Sequence, residues 1–398
     1  MAEAEAGTAV RARSRRRRIA VPLLALLVLL GTTYLAAHLL TGRYAWARAV
    51  AWLESDIGDQ HRFPAREVPS GEDVSLLGRG PAPEALTEPV NLGGIGRPFE
   101  DWLEQTGTRA LLVVHEDRLV YERYLDGAGP DVRETSFSAA KSVVATLVGI
   151  AADEGLLDVG DPVTAYLPEL AERDERFARI SVRDLLTMSS GIRYVEQGLP
   201  WSDDALTYYG TDLRALALER TRIEEAPGRT WQYDNYHPLL LGLVLERVTG
   251  TSVSEYMAER LWQPLGAEAD ASWSLDSTRS GFEKMESGVN AVPRDYARFG
   301  LMMLHDGEWN DRRIVSQQWV REATAASTTT DPAPFYQYLW WVGAPRERGE
   351  RAPFYALGKY GQVVAVFPEQ DTVIVRLGST DAGVDWQLRL RELADRIA

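Results

Sequence analysis

The hydrophobic pattern changes period along the chain, and each change marks an element. Ile19–Leu40 carries no charged side chain (His38 neutral) and is mostly Leu, Val and Ala. Pro98–Gln105 ends a first amphipathic helix. Arg109–His115 and Leu119–Tyr124 are short β-branched and aromatic runs joined by the polar turn Glu116–Arg118, which predicts an antiparallel hairpin. The apolar run after Lys141 has no proline and reads as a buried helix beginning near Ser136 or Ser138. From 151 to about 340 the apolar spacing is helical with long loops between. Short helices are predicted at Ile180–Gly191, Leu239–Val248, Ser252–Leu261 and Asp295–His305. Two further strands, Gln362–Phe367 and Thr372–Leu377, flank the turn Pro368–Asp371, and Trp386–Ala398 closes the chain as a helix. Strands near both ends with helices between them predict an α+β fold. The terminal strands pair into one antiparallel sheet flanked by helices, and a helical lobe is inserted between them. The helix after Ser138 falls at the seam, where pockets commonly form.

Charge and composition divide the chain further. The first 18 residues hold six arginines and two glutamates, so of the net −15 the remainder carries −19. An acidic body argues against a nucleic-acid surface. Residues 1–18 therefore read as a basic cytoplasmic segment. Residues 19–40 read as a single membrane-spanning helix, long enough for a core of roughly 30 Å, with the arginines on the inner side. The remainder is then expected outside the cytoplasm, held at the cell membrane. A cleaved signal is the competing reading, although its apolar region is usually about 7 to 15 residues; cleavage after Ala45–Ala47 would make the protein secreted. Residues 41–84, with Phe63-Pro64, Pro69–Gly71 and Gly78–Pro83, read as a linker, and 85–398 as the globular domain. There is no cysteine, and the five histidines lack zinc-ligand spacing, so disulfides, thiolate chemistry and a metal site are not expected. No cofactor is expected either.

Three stretches carry candidate chemistry. In Ser138-Ala139-Ala140-Lys141 the serine and lysine share one helix face. The serine falls in the first turn, where unpaired N–H groups and the dipole favour negative charge, and the lysine is placed to take its proton. An ordinary helix cap is the alternative for Ser138. Tyr233-Asp234-Asn235 offers a proton shuttle and an amide that can reach the lysine and a substrate carbonyl; a structural aromatic turn is its alternative. Ala356–Gln362 enters a strand through small residues, and N–H groups near Gly361, Gln362 or Val363 are candidates for an oxyanion hole with the Ser138 N–H. No Gly-x-Ser-x-Gly elbow is present.

The order of the three pieces resembles the serine β-lactamase and penicillin-recognising hydrolase superfamily. It is most similar to the branch of class C β-lactamase relatives, esterases and 6-aminohexanoate-dimer hydrolases. Leu185–Ile192, Leu241–Gly250, Trp262–Gly266, Asp270–Asp276 and Asp295–Gly300 extend the resemblance over roughly 85–398. The resemblance implies a β-lactamase-like fold in which Ser138 attacks a carbonyl and Lys141 with Tyr233 handles protons. Asn235 would orient Lys141 and substrate, the strand after Gly361 would help hold the oxyanion, and water would release the acyl-enzyme. One departure matters. Lys359 is followed by Tyr360-Gly361 where β-lactamases carry Lys-Thr-Gly or Lys-Ser-Gly. A small amide or ester is thus expected as substrate rather than penicillin. The alternatives are a D,D-peptidase or D-aminopeptidase acting on cell-wall fragments, and a catalytically silent binding domain on the same fold.

Overall fold

The computed structural model describes residues 21–35, 46–86, 90–92, 95–325 and 333–398. In chain order the elements that frame the site are α1 (Trp46–Trp52), β1 (Ala65–Val68), β2 (Gly78–Arg79), α2 (Phe99–Gln105), β3 (Thr108–His115), β4 (Arg118–Tyr124), β5 (Glu134–Thr135), α3 (Ala140–Asp153) and α4 (Asp203–Tyr209). They continue with α5 (Tyr236–Thr249), β6 (Ala271–Ser274), β7 (Val289–Ala291), α6 (Pro293–Leu304), β8 (Tyr336–Gln337), β9 (Trp340–Val342), β10 (Phe354–Gly358), β11 (Gln362–Phe367), β12 (Thr372–Gly378) and α7 (Trp386–Ile397).

The main sheet has the order β8-β9-β10-β11-β12-β3-β4-β2. The expected pairing of chain ends is present: β12 lies antiparallel to β3, with Ile374 opposite Val113. Alternate residues of β3 serve two cores, because side chains alternate across a strand. Ala110, Leu112 and Val114 join the larger core with α3, α5 and α6. Leu111 and Val113 face the other side, against Phe99, Trp102, Trp386 and Leu390. This two-sided burial explains why Ala110–Val114 is apolar without a break. α3 is buried on every side from Ala140 to Ala151, as a helix apolar all round must be. A smaller sheet, β1-β6-β7-β5, carries the chain into the Ser138 region.

The segment expected to be a linker departs from that expectation. Over its described part it adds β1 beside β6, the parallel edge strand β2 beside β4, and helix α1. The reason is aromatic. Trp52 and Phe63 pack edge-on at 5.1 Å, Trp52 meets Tyr209 at 6.1 Å, and Phe63 meets Tyr208 at 5.7 Å. Each such contact contributes about 0.5–1.5 kcal/mol beyond area burial. The expected membrane span at 19–40 reaches outside the described residues. Residues 21–35 are helical, and among the described residues no helix is long and apolar enough to cross a membrane.

Candidate active site

The turn that holds Ser138 is set by its flanks. β5 pairs Thr135 with Asn290 of β7, and Ser136 N–H donates to Val289 O at 2.9 Å. The chain then passes through Phe137, whose φ of 44° is an uncommon conformation for a bulky residue. Phe137 is held there by ring contacts to Tyr208 at 6.4 Å and Tyr360 at 5.4 Å. Phe137–Ala139 forms one 3₁₀ turn, and α3 starts directly after it. Ser138 is half-buried at this junction, and Lys141 is fully buried one turn on.

Lys141 Nζ donates to Ser138 Oγ at 3.1 Å and to Glu286 O at 3.0 Å. The second bond follows from the β5–β7 pairing, which brings Glu286, three residues before β7, alongside α3. Lys141 Nζ also lies 4.8 Å from the centroid of the Tyr233 ring. The ring itself is boxed by Trp231, Tyr336 and Trp341 at 5.9–6.3 Å. The structure thus gathers the three residues named from sequence as nucleophile and proton-handling pair. Asn235 lies at the same cleft, but its amide donates to Tyr194 Oη at 2.9 Å and Thr207 Oγ1 at 3.2 Å. The expected Asn235–Lys141 bond is not made; Glu286 O takes that place. Burial holds the Tyr194 phenol well above its usual range, which keeps it a hydrogen-bonding hydroxyl.

The oxyanion candidates need correction. Gly361, Gln362 and Val363 sit one strand too deep. Gln362 and Val363 belong to β11, enclosed between β10 and β12. The Gln362 side chain donates to Gly378 O at 2.6 Å and accepts from Gly378 N at 3.0 Å, while Gly361 O accepts from Arg376 at 2.8 Å. The free edge is on β10. Its ladder to β9 covers only Phe354 and Tyr355, which leaves Ala356–Gly358 open on that side. Gly358 lies against the nucleophile turn so closely that an added Cβ would stand 2.1 Å from Ser136 O. Lys359, the next residue, lines the cleft with Ser138.

The cleft has a volume of about 640 Å³. Its walls come from Leu53–Ser55, the Gly198–Pro200 loop, Tyr208 and Tyr209, and Glu286–Ser287. Among nearby aromatic residues, Tyr208 and Tyr209 line the cleft, Tyr194 lies beneath Asn235, Trp340 is buried in the core and Trp201 is exposed. A buried ion pair underlies the floor. Lys284 Nζ meets Glu286 Oε1 at 2.6 Å and also donates to Tyr208 O. Burial pulls the Lys284 ammonium below the ordinary lysine range, and Glu286 opposes that. Neither residue was singled out from sequence, since Glu283-Lys284-Met285-Glu286 has the composition of a solvated loop. His237 is structural: it is buried, its ring meets Ser190 Oγ at 2.6 Å, and burial pulls the imidazole down to about 3. His115 pairs with Thr372 across the sheet and His305 with Asp117. No cluster suited to a metal ion occurs among the described residues.

A family model described as Beta-lactamase matches residues 99–396. The 6-aminohexanoate-dimer hydrolase of Paenarthrobacter ureafaciens is 33% identical over 306 residues, which cover 71% of this chain and 75% of the relative. A solved structure from Bacillus anthracis, provisionally described as a 6-aminohexanoate-dimer hydrolase, superposes with a TM-score of 0.73 at 22% identity, over 87% of this chain and 92% of the other. A class C β-lactamase superposes with a TM-score of 0.58 at 17% identity, over 75% and 92% respectively.

Proposed function

The chain belongs to the Beta-lactamase family as a serine hydrolase of the amidase or esterase type, and from that premise we propose that it cleaves a small amide or ester through an acyl-enzyme on Ser138. The observation that carries this reading is the 3.1 Å contact between Lys141 Nζ and Ser138 Oγ at the floor of an open cleft. Lys141 accepts the hydroxyl proton as Oγ attacks the carbonyl carbon. Tyr233, against Lys141, relays that proton to the leaving amine or alcohol. The oxyanion is held by the Ser138 N–H and the free edge at 358–359, where preorganised donors contribute most. Water then enters by the same proton path reversed and frees the acid. Asn235, fixed by Tyr194 and Thr207, turns its remaining amide capacity to substrate. Glu54, Glu196, Asp204 and Glu286 all reach the cleft wall, which favours neutral or cationic substrates over anions.

The test uses a fluorophosphonate probe, p-nitrophenyl hexanoate, a 6-aminohexanoate dimer, nitrocefin and a D-alanine-terminated muropeptide. Labelling and ester or dimer cleavage are expected, with both lost in Ser138→Ala. Fast nitrocefin turnover would instead make the protein a β-lactamase, and D-alanine release would make it a cell-wall peptidase. Labelling that survives in Ser138→Ala removes the proposal.

We further propose that residues 19–40 anchor the chain in the cell membrane with the catalytic domain outside. The support is compositional: 22 uncharged residues directly after a block of six arginines. Retention in the membrane pellet after alkaline extraction is expected, and release into the supernatant would overturn the anchor.

A further inference from the structure

Lys359 opens the turn that follows β10 and lines the cleft, yet its charge is already engaged. Its Nζ lies 3.0 Å from Glu54 Oε2 and 2.8 Å from Ser55 Oγ. Both partners belong to the segment that follows α1, some three hundred residues earlier in the chain. All three line the cleft with Ser138.

Both sides of this contact are fixed by other bonds. On one side, the Lys359–Gly361 turn is clamped by Arg376, whose Nη1 donates to Tyr360 O at 2.6 Å and Gly361 O at 2.8 Å. Tyr360 Oη also donates to Ser55 O, and its ring packs on Phe137 beside the nucleophile. On the other side, Leu53 turns the chain at φ 61°, and its carbonyl accepts from Tyr209 Oη at 2.7 Å. Glu54 is thereby aimed at Lys359 by backbone geometry. The pair itself is open to solvent, with side chains 88% and 46% exposed, so it contributes little to stability. Its consequence is electrostatic: among the described residues lining the cleft Lys359 is the cationic one, and its charge is matched from within the chain. Of the remaining carboxylates, Glu286 is balanced by Lys284. Glu196 and Asp204 leave the cleft negative.

We propose that Glu54 is a specificity-determining residue: by neutralising Lys359 it disfavours substrates that carry a carboxylate on the acyl chain and favours neutral or cationic ones. The inference rests on the hydrolase reading above and adds the element that selects substrate charge. It assigns this role to the segment ahead of the family-matched region, which begins at residue 99.

The full-length chain and its Glu54→Gln, Lys359→Gln and doubly substituted forms are assayed with two esters of equal length, p-nitrophenyl hexanoate and p-nitrophenyl hydrogen adipate. The readout is the ratio of kcat/KM for the anionic over the neutral ester. Glu54→Gln is expected to raise it about three- to ten-fold, mainly through KM, as one exposed charge is removed and one freed. The gain shrinks in 0.5 M salt, by screening, and disappears in the double variant. A ratio that Glu54→Gln leaves at the wild-type value, or a gain that survives loss of Lys359, overturns the proposal. Absence of hexanoate cleavage and of fluorophosphonate labelling in the wild type defeats the hydrolase reading instead. In that case equilibrium binding of monomethyl adipate against methyl hexanoate to the same four proteins reads the same anionic-over-neutral ratio, and an unchanged ratio again overturns the role of Glu54.

Discussion

Replacing Lys284 with methionine isolates the buried pair beneath the cleft. The Lys284 and Glu286 side chains are 1% and 2% exposed and meet at 2.6 Å. The ammonium also sits 4.6 Å from the Phe63 ring centroid and 4.4 Å from that of Tyr208. Methionine fills the stem but leaves the Glu286 carboxylate with Ser287 Oγ as its remaining donor, at 2.8 Å, and Oε2 already lacks a partner. Leaving one charge of a buried pair uncompensated costs about 3–5 kcal/mol. Unfolding entropy near 2.1 cal/mol/K per residue, over about 300 residues, converts this to a fall in Tm of roughly 5–8 °C. Removing both charges in Lys284→Met/Glu286→Leu costs far less, from nothing to a gain of about 1–4 kcal/mol, because nothing charged is left stranded. The assay is thermal unfolding of the two single variants and the double. Glu286 O is also the acceptor that fixes Lys141, so Lys284→Met is expected to lower kcat about ten-fold with little change in KM. If the double variant loses the sum of the single losses, the two residues do not act as a pair and the reasoning fails.

Two other perturbations probe the same region. Gly358→Ala places a methyl 2.1 Å from Ser136 O, which displaces the nucleophile turn. A shift near 1 Å lowers kcat/KM about 100-fold, and ester hydrolysis within three-fold of wild type would show that the edge yields freely. His237→Gln tests a pH effect whose sign is fixed by burial. The native imidazole titrates near 3 and the unfolded one near about 6.5. Between these values the unfolded chain binds a proton that the native one does not, so this residue's contribution is complete above about 6.5 and is lost as pH falls. The neighbouring Asp234 carboxyl, raised by burial, pulls in the opposite sense, so the measured quantity is the difference between variant and wild type. Urea unfolding should show the variant gaining on wild type by up to about 1.4 kcal/mol per pH unit on acidification, and a difference independent of pH excludes the assignment.

Four neighbouring strands of the eight in the main sheet, β11, β12, β3 and β4, could be placed from sequence by their β-branched and aromatic runs, whereas β2, β8, β9 and β10 were not singled out. Gln362–Phe367 and Thr372–Gly378 fall where the β-branched runs place them. The Ser138–Lys141 relation was equally legible, since both lie within one turn. What escaped was long-range. Ala65–Val68 shows no strand pattern because one exposed edge binds β6 while its side chains stay mostly at the surface. The Gly361–Val363 assignment failed because sequence shows a glycine turn but not which arm of the hairpin is the free edge. Register against β9 and β12 decides that. Lys284 and Glu286 read as surface residues because burial of a charge depends on a partner and a roof, here Phe63 and Tyr208.

The pairing of β12 with β3 has a consequence for synthesis. His115 is matched with Thr372 and Ala110 with Leu377, so the middle of the sheet joins stretches made far apart in time. Until β12 leaves the ribosome, β3 presents an apolar strand with one unpaired edge, a template for pairing with another chain. The growing chain therefore carries this open edge from residue 115 to residue 372, about two-thirds of its synthesis. A chain stopped before residue 372 should appear as aggregate rather than as a smaller, weaker enzyme.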